Sequence, residues 1–356
     1  MQSARHPSRS PAAPPALPER HRPRRILVTG GAGFIGSHLI RDLIRSLPEA
    51  RIVNLDLLTY AGDLGRLDDL AHLLDTPRLA HVQGDICDGE LVRTLLAEGE
   101  GVDTVMHLAA ESHVDRSIAG PEAFVRTNIT GTFTLLEACR EEWVGRKDVR
   151  FHHVSTDEVR GELAPGDPPF TEASPYAPNS PYAASKAASD HLVRAYHRTY
   201  GLPVVISSCS NNFGPDQHRE KFIPTVIDAC LHGRPIPLYG DGTNVRDWIY
   251  VEDHCRALLD IVRGGRTGAD YLVGARDERR NLEVVEAVCQ IMDEVRPEGA
   301  PHRRLVRFVR DRPGHDFRYA VDPSQVEREL GWRPETPFAQ GLRRTVRAVL
   351  NTWDGE

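Results

Sequence analysis

Two short motifs carry side chains that could do acid, base and hydride-transfer chemistry together. Residues 155–158 (Ser-Thr-Asp-Glu) set two carboxylates side by side, and residues 182–186 (Tyr-Ala-Ala-Ser-Lys) space a phenol and an ammonium four residues apart. Residues four apart share one face of a helix, so Lys186 could stabilise the Tyr182 phenolate and lower its pKa. The phenolate could then take a hydroxyl proton while hydride leaves the same carbon.

The adjacent carboxylates imply that a second bond is broken while the oxidised substrate stays bound. Neighbouring carboxylates tend to separate in pKa, which leaves one protonated as an acid and one ionised as a base. In a hexose whose C4 hydroxyl has become a ketone, a base could remove the acidic C5 proton while an acid protonates the departing C6 hydroxyl. Thr156 could orient the C4 oxygen. The structural alternatives are a solvated acidic turn at 157–158 and a chance tyrosine–lysine spacing.

Glycines of a dinucleotide-binding turn lie at residues 29–36 (Thr-Gly-Gly-Ala-Gly-Phe-Ile-Gly), between a strand and a helix. They permit a tight turn and close approach of the backbone to a pyrophosphate, which the helix N-terminus binds. Asp56 closes the next strand about 20 residues on, where it would bind the ribose hydroxyls and repel a 2′-phosphate. The motif therefore favours NAD over NADP, and NAD's positive ring would further lower the Tyr182 pKa. A structural turn with an N-capping aspartate is the alternative.

Alternation of apolar strands and amphipathic helices predicts the fold. Strands are expected at 25–29, 51–56, 79–83, 104–108, 149–154 and 204–208, with helices at 37–47, 91–96, 122–140 and 182–200. This pattern predicts an α/β fold, a Rossmann-type doubly wound parallel sheet with a smaller C-terminal substrate-binding domain. The predicted parts are a disordered tail at 1–23, an NAD-binding domain at 24–212 with a segment returning near 247–263, and a substrate-binding domain at 213–246 and 264–356. Ligands bind such sheets at the carboxyl ends of the strands, where every motif above lies.

Composition excludes several other classes. The 356 residues carry a formal net charge of −7 with no basic stripe, which argues against nucleic-acid binding. No apolar run approaches the ~18 residues of a membrane span. Six scattered cysteines show no metal-ligand spacing and predict reduced thiols in a cytoplasmic protein without a metal site. A transit peptide is the alternative to a disordered tail at the N-terminus.

At this point the motifs resemble those of the dTDP-glucose 4,6-dehydratase family, within the extended short-chain dehydrogenase/reductases. The resemblance runs from about residue 24 nearly to the C-terminus. Besides the motifs above, it rests on the segments at 108–115 (Leu-Ala-Ala-Glu-Ser-His-Val-Asp), 210–215 (Ser-Asn-Asn-Phe-Gly-Pro), 245–248 (Val-Arg-Asp-Trp) and 311–316 (Asp-Arg-Pro-Gly-His-Asp). It implies conversion of dTDP-glucose to the 4-keto-6-deoxy sugar, by C4 oxidation, loss of water across C5 and C6, and hydride return to C6.

The resemblance also implies roles for named residues: Asp157 as proton donor, Glu158 as proton acceptor and Tyr182 as base, with Thr156 and Lys186 completing the catalytic set. NAD contacts are expected at Gly30, Gly33, Phe34, Ile35, Gly36, Asp56, Leu57, Leu58, Thr59, Asp85, Ile86, Leu108, Ala109, Ala110, Ser112, Thr127, Tyr182, Lys186 and Asn212. Nucleotide-sugar contacts are expected at Ser112, Thr156, Asn211, Lys221, Phe222, Pro237, Leu238, Tyr239, Arg246, Asn281, Asp311, Arg312 and His315. Arginines at 246 and 312 could bind a diphosphate, and an aromatic ring at 239 or 222 could stack on the base.

Some positions depart from the family pattern. Arg160 stands where the family has tyrosine, and its charge could hold Asp157 ionised, or it could point away. Residues 216–219, 222 and 275 also differ. Two other functions remain open: a sister sugar-nucleotide epimerase or decarboxylase, and a non-catalytic NAD-binding regulatory protein. The family implies a homodimer formed through the helices at 122–140 and 182–200.

Overall fold

The structure, a computed structural model, describes residues 20–74 and 76–353. Residues 1–19 of the predicted disordered tail lie outside the described residues. Within the remainder of that predicted tail, the His21 backbone N–H donates to the Arg263 carbonyl at 2.8 Å, and Nε2 of its ring lies 2.7 Å from Thr104 Oγ1. The chain therefore contacts the body of the protein before residue 24.

The predicted alternation of strands and helices is present along the described chain. Its strands are Arg25–Thr29 (β1), Arg51–Asp56 (β2), Leu79–Gln83 (β3), Thr104–His107 (β4), Arg150–Thr156 (β5), Val204–Cys209 (β6), Asn211–Phe213 (β7), Ile236–Tyr239 (β8), Val245–Tyr250 (β9), Asp270–Val273 (β10), Glu278–Arg280 (β11) and Val306–Val309 (β12). Its α-helices are Phe34–Ser46 (α1), Gly89–Ala97 (α2), Val114–Ala119 (α3), Glu122–Phe124 (α4), Thr132–Glu142 (α5), Pro181–Tyr200 (α6), Phe222–Leu231 (α7), Val251–Gly264 (α8), Asn281–Val295 (α9), Ser324–Leu330 (α10) and Phe338–Trp353 (α11). Short 3₁₀ turns lie at Leu64–Leu73, Asp157–Arg160, Pro297–Gly299 and His302–Leu305, and a π-helical segment lies at Val125–Gly131.

A seven-stranded sheet forms the centre of the molecule. Its strand order is β3-β2-β1-β4-β5-β6-β10, and every neighbouring pair is parallel. The order reverses between β1 and β4, which makes the crevice above these two strands the place where such sheets bind ligands. The prediction of a doubly wound parallel sheet is confirmed.

Helices cover both faces of this sheet because its central strands are apolar on both sides. Along β1, Leu27 packs with α2, α5 and α6 on one face, whereas Ile26 and Val28 pack with α1 and α8 on the other. All three side chains are at most 1% exposed. Burial of one such side chain is worth roughly 1.5–3 kcal/mol, so the two layers hold the strand ends in fixed positions.

The C-terminal half builds a second core beside the sheet. Strands β7, β9 and β11 form one small sheet, β8 and β12 form another, and helices α7, α9 and α11 pack against them. The chain also returns to the large sheet: α8 lies against α1, and β10 pairs with β6. Strand β10 falls within the range predicted for the substrate-binding domain, and the domain bounds themselves stay a prediction.

Two helices that carry site residues show why these sequences fold as they do. Helix α6 begins at Pro181, the Ser180 hydroxyl accepts from the Ala183 N–H at 3.1 Å, and the helix ends at Gly201 in the left-handed conformation. The helix predicted at 122–140 is instead interrupted by the π-helical segment. Segments of this kind are frequent at functional sites, and this one brings Thr127 to the cleft described below.

Candidate active site

A single cleft at the carboxyl ends of the sheet strands gathers both predicted motifs. It is lined by all five predicted catalytic residues and by every predicted NAD contact except Leu58. Of the predicted nucleotide-sugar contacts, Ser112, Thr156, Asn211 and Lys221 line it as well. The sequence motifs, up to about 190 residues apart in the chain, therefore meet at one edge of the sheet.

The glycine turn after β1 leaves room only for backbone. Gly30 has φ of +77°, and a Cβ at this position would come within 2.7 Å of the Ala109 backbone nitrogen. A Cβ on Gly36 would lie 2.1 Å from the Gly30 carbonyl oxygen. Helix α1 starts after Gly33, which has no side chain to cap it, so its first N–H groups face the cleft as donors for an anion.

Asp56 is held at the end of β2 by two backbone donors. Its Oδ2 accepts from the Ala32 N–H and its Oδ1 accepts from the Leu58 N–H, both at 2.9 Å. Leu58 has φ of +54°, a conformation that turns the chain back around the carboxylate. A carboxylate has about four acceptor sites, so Asp56 can still take ribose hydroxyls. The glycine turn, the free helix N-terminus and this fixed acidic residue fit the dinucleotide NAD.

Tyr182 and Lys186 lie on one face of α6, as their spacing predicts, and both line the cleft. Burial raises the pKa of Tyr182 well above its usual value, and the nearby charge of Glu158 raises it further. Burial lowers the pKa of Lys186, whose Nζ donates to the Val154 carbonyl oxygen at 2.8 Å. The protein groups alone therefore do not give the lowered phenol pKa expected from the sequence, because desolvation and the negative charge of Glu158 both raise it.

The two adjacent carboxylates lie in different surroundings. Asp157 is 2% exposed, and burial together with the charges of Glu158 and Asp247 raises its pKa well above the usual value. Glu158 is half-buried, and burial also raises its pKa, but the positive charges of Arg312 and Arg246 oppose the increase. At neutral pH this arrangement favours a protonated Asp157 and leaves Glu158 as the more readily ionised partner.

Arg160, the departure from the family pattern, does not hold Asp157 ionised. Its guanidinium carbon lies 5.2 Å from the centroid of the Tyr176 ring, and its Nε donates to the Thr171 carbonyl at 3.3 Å. The raised pKa of Asp157 is the opposite of the effect that a neighbouring arginine would have. Asp157 therefore favours its protonated form.

Three cations act on Glu158: Arg312, Arg246 and Lys221. Lys221 donates to the Ser112 carbonyl oxygen at 3.0 Å, and Arg312 lies 3.3 Å from Asp115. Arg246 is 5% exposed and donates to the Asp316 carbonyl at 2.8 Å. These charges could receive an anionic part of a ligand that enters the cleft beside Glu158.

The other predicted nucleotide-sugar contacts lie outside the lining of the cleft. Tyr239 is 37% exposed and contacts the His315 ring edge-on at 6.0 Å, while Asp311 Oδ1 lies 2.6 Å from Nδ1 of His315. In contrast, Leu238 is 1% exposed within the C-terminal core, and Phe222 stacks on Trp248 against the same core. Pro237 is exposed on β8, whereas Asn281 is buried at the first residue of α9. The assignment of these residues to substrate binding stays a prediction.

Several residues of the site were not predicted from the sequence. Gln217 and His218 line the cleft from a segment that departs from the family pattern, so no motif marks them. Asp247 raises the pKa of Asp157 from within the 245–248 motif, in which the sequence predicted a role for Arg246 alone. The available signal for Asp247 was a charged residue in the middle of a predominantly buried strand.

Together, the sheet order, the glycine turn, the tyrosine–lysine pair and the two carboxylates define an extended short-chain dehydrogenase/reductase. A sequence model of the family described as GDP-mannose 4,6 dehydratase matches residues 27–345. The dTDP-glucose 4,6-dehydratase of Neisseria gonorrhoeae is 52% identical over 337 residues, which cover 92% of this chain and 96% of that protein. The dTDP-glucose 4,6-dehydratase of Escherichia coli is 50% identical and covers 92% of each chain. The chain therefore belongs to this dehydratase family, and the resemblance seen in its motifs is confirmed.

Solved structures agree with this assignment. The dTDP-glucose 4,6-dehydratase of Streptomyces venezuelae, solved with NAD bound, superposes with a TM-score of 0.84 at 48% identity over 93% of this chain and 98% of that one. The UDP-glucose 4-epimerase of Thermus thermophilus, in complex with NAD, reaches a TM-score of 0.79 at 31% identity over 91% of this chain and 98% of that one. The fold is shared with an epimerase, so it is the chemistry of the cleft that separates the two activities.

Proposed function

We propose that the protein is an NAD-dependent nucleoside-diphosphate-hexose 4,6-dehydratase that converts dTDP-glucose to dTDP-4-keto-6-deoxyglucose and water. The observation that carries this proposal is the presence of Asp157 and Glu158 in the same cleft as Tyr182. A tyrosine–lysine pair suffices for oxidation at C4, whereas loss of water needs a separate acid and base. The identity to named dehydratases along more than nine-tenths of the chain supports the same reaction.

Each residue then has a definite task on the hexose. Tyr182 takes the proton of the C4 hydroxyl, and Thr156 orients the oxygen that becomes the ketone. Glu158 removes the C5 proton, which the C4 ketone makes acidic, and Asp157 gives its proton to the C6 hydroxyl as that group leaves as water. NAD, when bound, would supply a carrier that receives hydride from C4 and returns it at C6, and Glu158 would give the proton it removed back to C5.

The cleft residues favour a bound dinucleotide that stays with the protein. Asp56 and the first turn of α1 would hold its ribose and pyrophosphate, and Thr127 and Asn212 line the same cleft. Because hydride leaves and returns within one turnover, the cofactor does not have to exchange. Arg246 and Arg312 would bind the diphosphate of the sugar nucleotide with charge-assisted hydrogen bonds.

The competing function is that of a sister epimerase, which the shared fold with the Thermus thermophilus enzyme allows. Purified protein incubated with dTDP-glucose, and in parallel with UDP-, CDP- and GDP-hexoses, separates the two by mass spectrometry. A dehydratase gives a product one water lighter than the substrate, whereas an epimer keeps the substrate mass. Unchanged mass with a changed sugar would overturn the proposal, and an absence of turnover on every sugar nucleotide would favour an NAD-binding regulatory role.

We further infer a cytoplasmic homodimer. The family resemblance assigns a dimer interface to the segments at 122–140 and 182–200. Exposed apolar side chains lie on both: Val125 (51% exposed), Phe133 (46%) and Tyr200 (56%). The six cysteines form no disulfide, which suits a reducing compartment. In the part of the chain that the structure describes, no helix is long and apolar enough to cross a membrane.

A further inference from the structure

Outside the residues assigned to the reaction, Asp190 is a buried carboxylate that bonds to one catalytic motif and follows the other on the same helix. It is 0% exposed and lies on α6, one helical turn after Lys186. Its Oδ2 accepts hydrogen bonds from the Ser155 hydroxyl at 2.8 Å and from the Tyr176 hydroxyl at 2.7 Å. Ser155 is the first residue of the acidic motif, so Asp190 joins the end of β5 to the helix that carries Tyr182.

Asp190 is ionised despite its burial. Burial raises its pKa, but hydrogen bonds from His153 and Tyr176 and the charge of Lys186 outweigh this effect and lower it. Nε2 of His153 lies 3.1 Å from Oδ1, yet burial and Lys186 lower the pKa of His153 to about 4, so this ring is neutral at physiological pH. Two cations lie one turn from Asp190 on the same helix: Lys186, whose charge lowers the Asp190 pKa, and Arg194, which donates to the Tyr176 hydroxyl.

Lys186 is also a buried charged group, and it needs a negative neighbour to stay protonated. Its burial disfavours the ammonium form, and Asp190 and then Cys209 are the neighbours that oppose this effect. Burial raises the pKa of the Cys209 thiol to about 12, so Cys209 is uncharged. His107, which also faces the lysine, is neutral because burial holds its pKa well below the usual value. Asp190 is thus the ionised carboxylate among these neighbours of Lys186.

We propose that Asp190 is a positioning residue whose carboxylate keeps Lys186 in the ammonium form and ties Ser155, and with it the acidic motif, to α6. This inference rests on the proposed function, because it concerns the charge that supports proton transfer to Tyr182. Residues 187–189, between Lys186 and Asp190, are Ala-Ala-Ser and carry no charge. Asp190 is therefore the charged residue that α6 supplies within one turn of Lys186 on its buried face.

The pH dependence of C4 oxidation tests this proposal. Without the carboxylate, Lys186 loses its proton at lower pH, and Tyr182 then loses its support. For Asp190→Asn we expect the alkaline limb of the oxidation rate, followed as reduced nicotinamide in single turnovers, to move down by about one pH unit or more. Tyr176→Phe, which removes one hydrogen bond but keeps the charge, should leave that limb in place. A uniform loss of rate in Asp190→Asn, with an unmoved limb, would reduce Asp190 to a structural residue.

Unfolding measurements give a readout independent of turnover. If the two charges compensate one another, Asp190→Asn and Lys186→Met each leave a buried charge unpaired, and the double variant should lose much less stability than the sum of the two. Additive losses would contradict the proposal. If Asp190→Asn does not fold, we still expect the double variant to fold. A double variant that does not fold would also contradict the proposal. A wild-type protein that oxidises no sugar nucleotide would refute the proposed function. The stabilities of the two single variants and the double variant would still decide whether Asp190 and Lys186 compensate one another.

Discussion

Asp157 and Glu158 are neighbours in the chain, yet negative charges dominate around the carboxyl group of Asp157 and positive charges around that of Glu158. Asp157 faces the negative charges of Glu158 and Asp247, whereas Glu158 faces the positive charges of Arg312 and Arg246. Burial raises both pKa values, so the difference between the two groups comes from these neighbours. The same local sequence thus holds two carboxyl groups with different tendencies to ionise, because the strand end turns each side chain toward a different set of charges.

The first prediction separates the two roles. Asp157→Asn keeps the shape of the side chain but removes the proton that the leaving hydroxyl needs, so we expect C4 oxidation at a near-normal rate and water loss slower by about 10²–10⁴-fold. In heavy water, the variant should still exchange the C5 hydrogen, because Glu158 remains. Mass spectrometry of the recovered sugar nucleotide and the absorbance of reduced nicotinamide would measure the two steps.

Glu158→Gln is the matched control for this experiment, and it should oxidise C4 without exchanging the C5 hydrogen. Tyr182→Phe should block oxidation itself, so neither later step would be seen. Equal losses of oxidation and elimination in Asp157→Asn would show that the division of labour between the two carboxyl groups is wrong.

The second prediction concerns pH. Glu158 must be ionised to act as a base, and Arg312 lowers its pKa against the effect of burial. In Arg312→Met the pKa of Glu158 therefore rises, and the acid limb of kcat should move to higher pH, by about half a unit or more. Arg310→Met, at an exposed position two residues earlier, is the control and should keep the wild-type limb. A change in KM with an unmoved acid limb would mean that Arg312 binds substrate without acting on Glu158.

Much of this architecture could be predicted from the sequence because it depends on local patterns. Apolar runs of five or six residues predicted the strands of the large sheet up to β6, and the glycine turn and the spacing of Tyr182 and Lys186 predicted which groups would share the cleft. The edge strand β10 was missed because it is short and follows a long irregular segment. The protonation states of Tyr182 and Asp157 could not be predicted from the sequence. They depend on the desolvation of Tyr182 and on the position of Asp247 near Asp157, which tertiary packing sets.

The third prediction tests the close approach at the glycine turn. Gly30 and Gly99 both have positive φ, +77° and +64°, but a Cβ at Gly30 would meet the Ala109 backbone at 2.7 Å, whereas nothing lies within 4 Å at Gly99. Gly99→Ala should therefore cost only the backbone penalty of about 1–2 kcal/mol. Gly30→Ala should cost a further ~1–3 kcal/mol for the steric conflict and should reduce the NAD content of the purified protein.

Urea unfolding and mass spectrometry of the released cofactor would measure both effects for this pair of variants. Similar stability losses in the two variants, with normal NAD content in each, would show that the turn can relax around a methyl group. The contact between Gly30 and Ala109 would then not be the constraint that requires glycine.

The fourth prediction concerns the proposed dimer. Phe133 is 46% exposed on α5, and Phe308, on β12 far along the chain, is 60% exposed, so the two offer a matched pair of exposed phenylalanines. A lysine in an apolar interface must be desolvated, so Phe133→Lys should weaken the dimer at least about tenfold by light scattering across a concentration series, while Phe308→Lys should not. The same interface would brace the cleft, because Arg126, beside the exposed Val125, pairs at 2.8 Å with Asp85 in its lining. A wild-type monomer at about micromolar concentration would refute the dimer, whereas equal weakening by both variants would place its interface elsewhere.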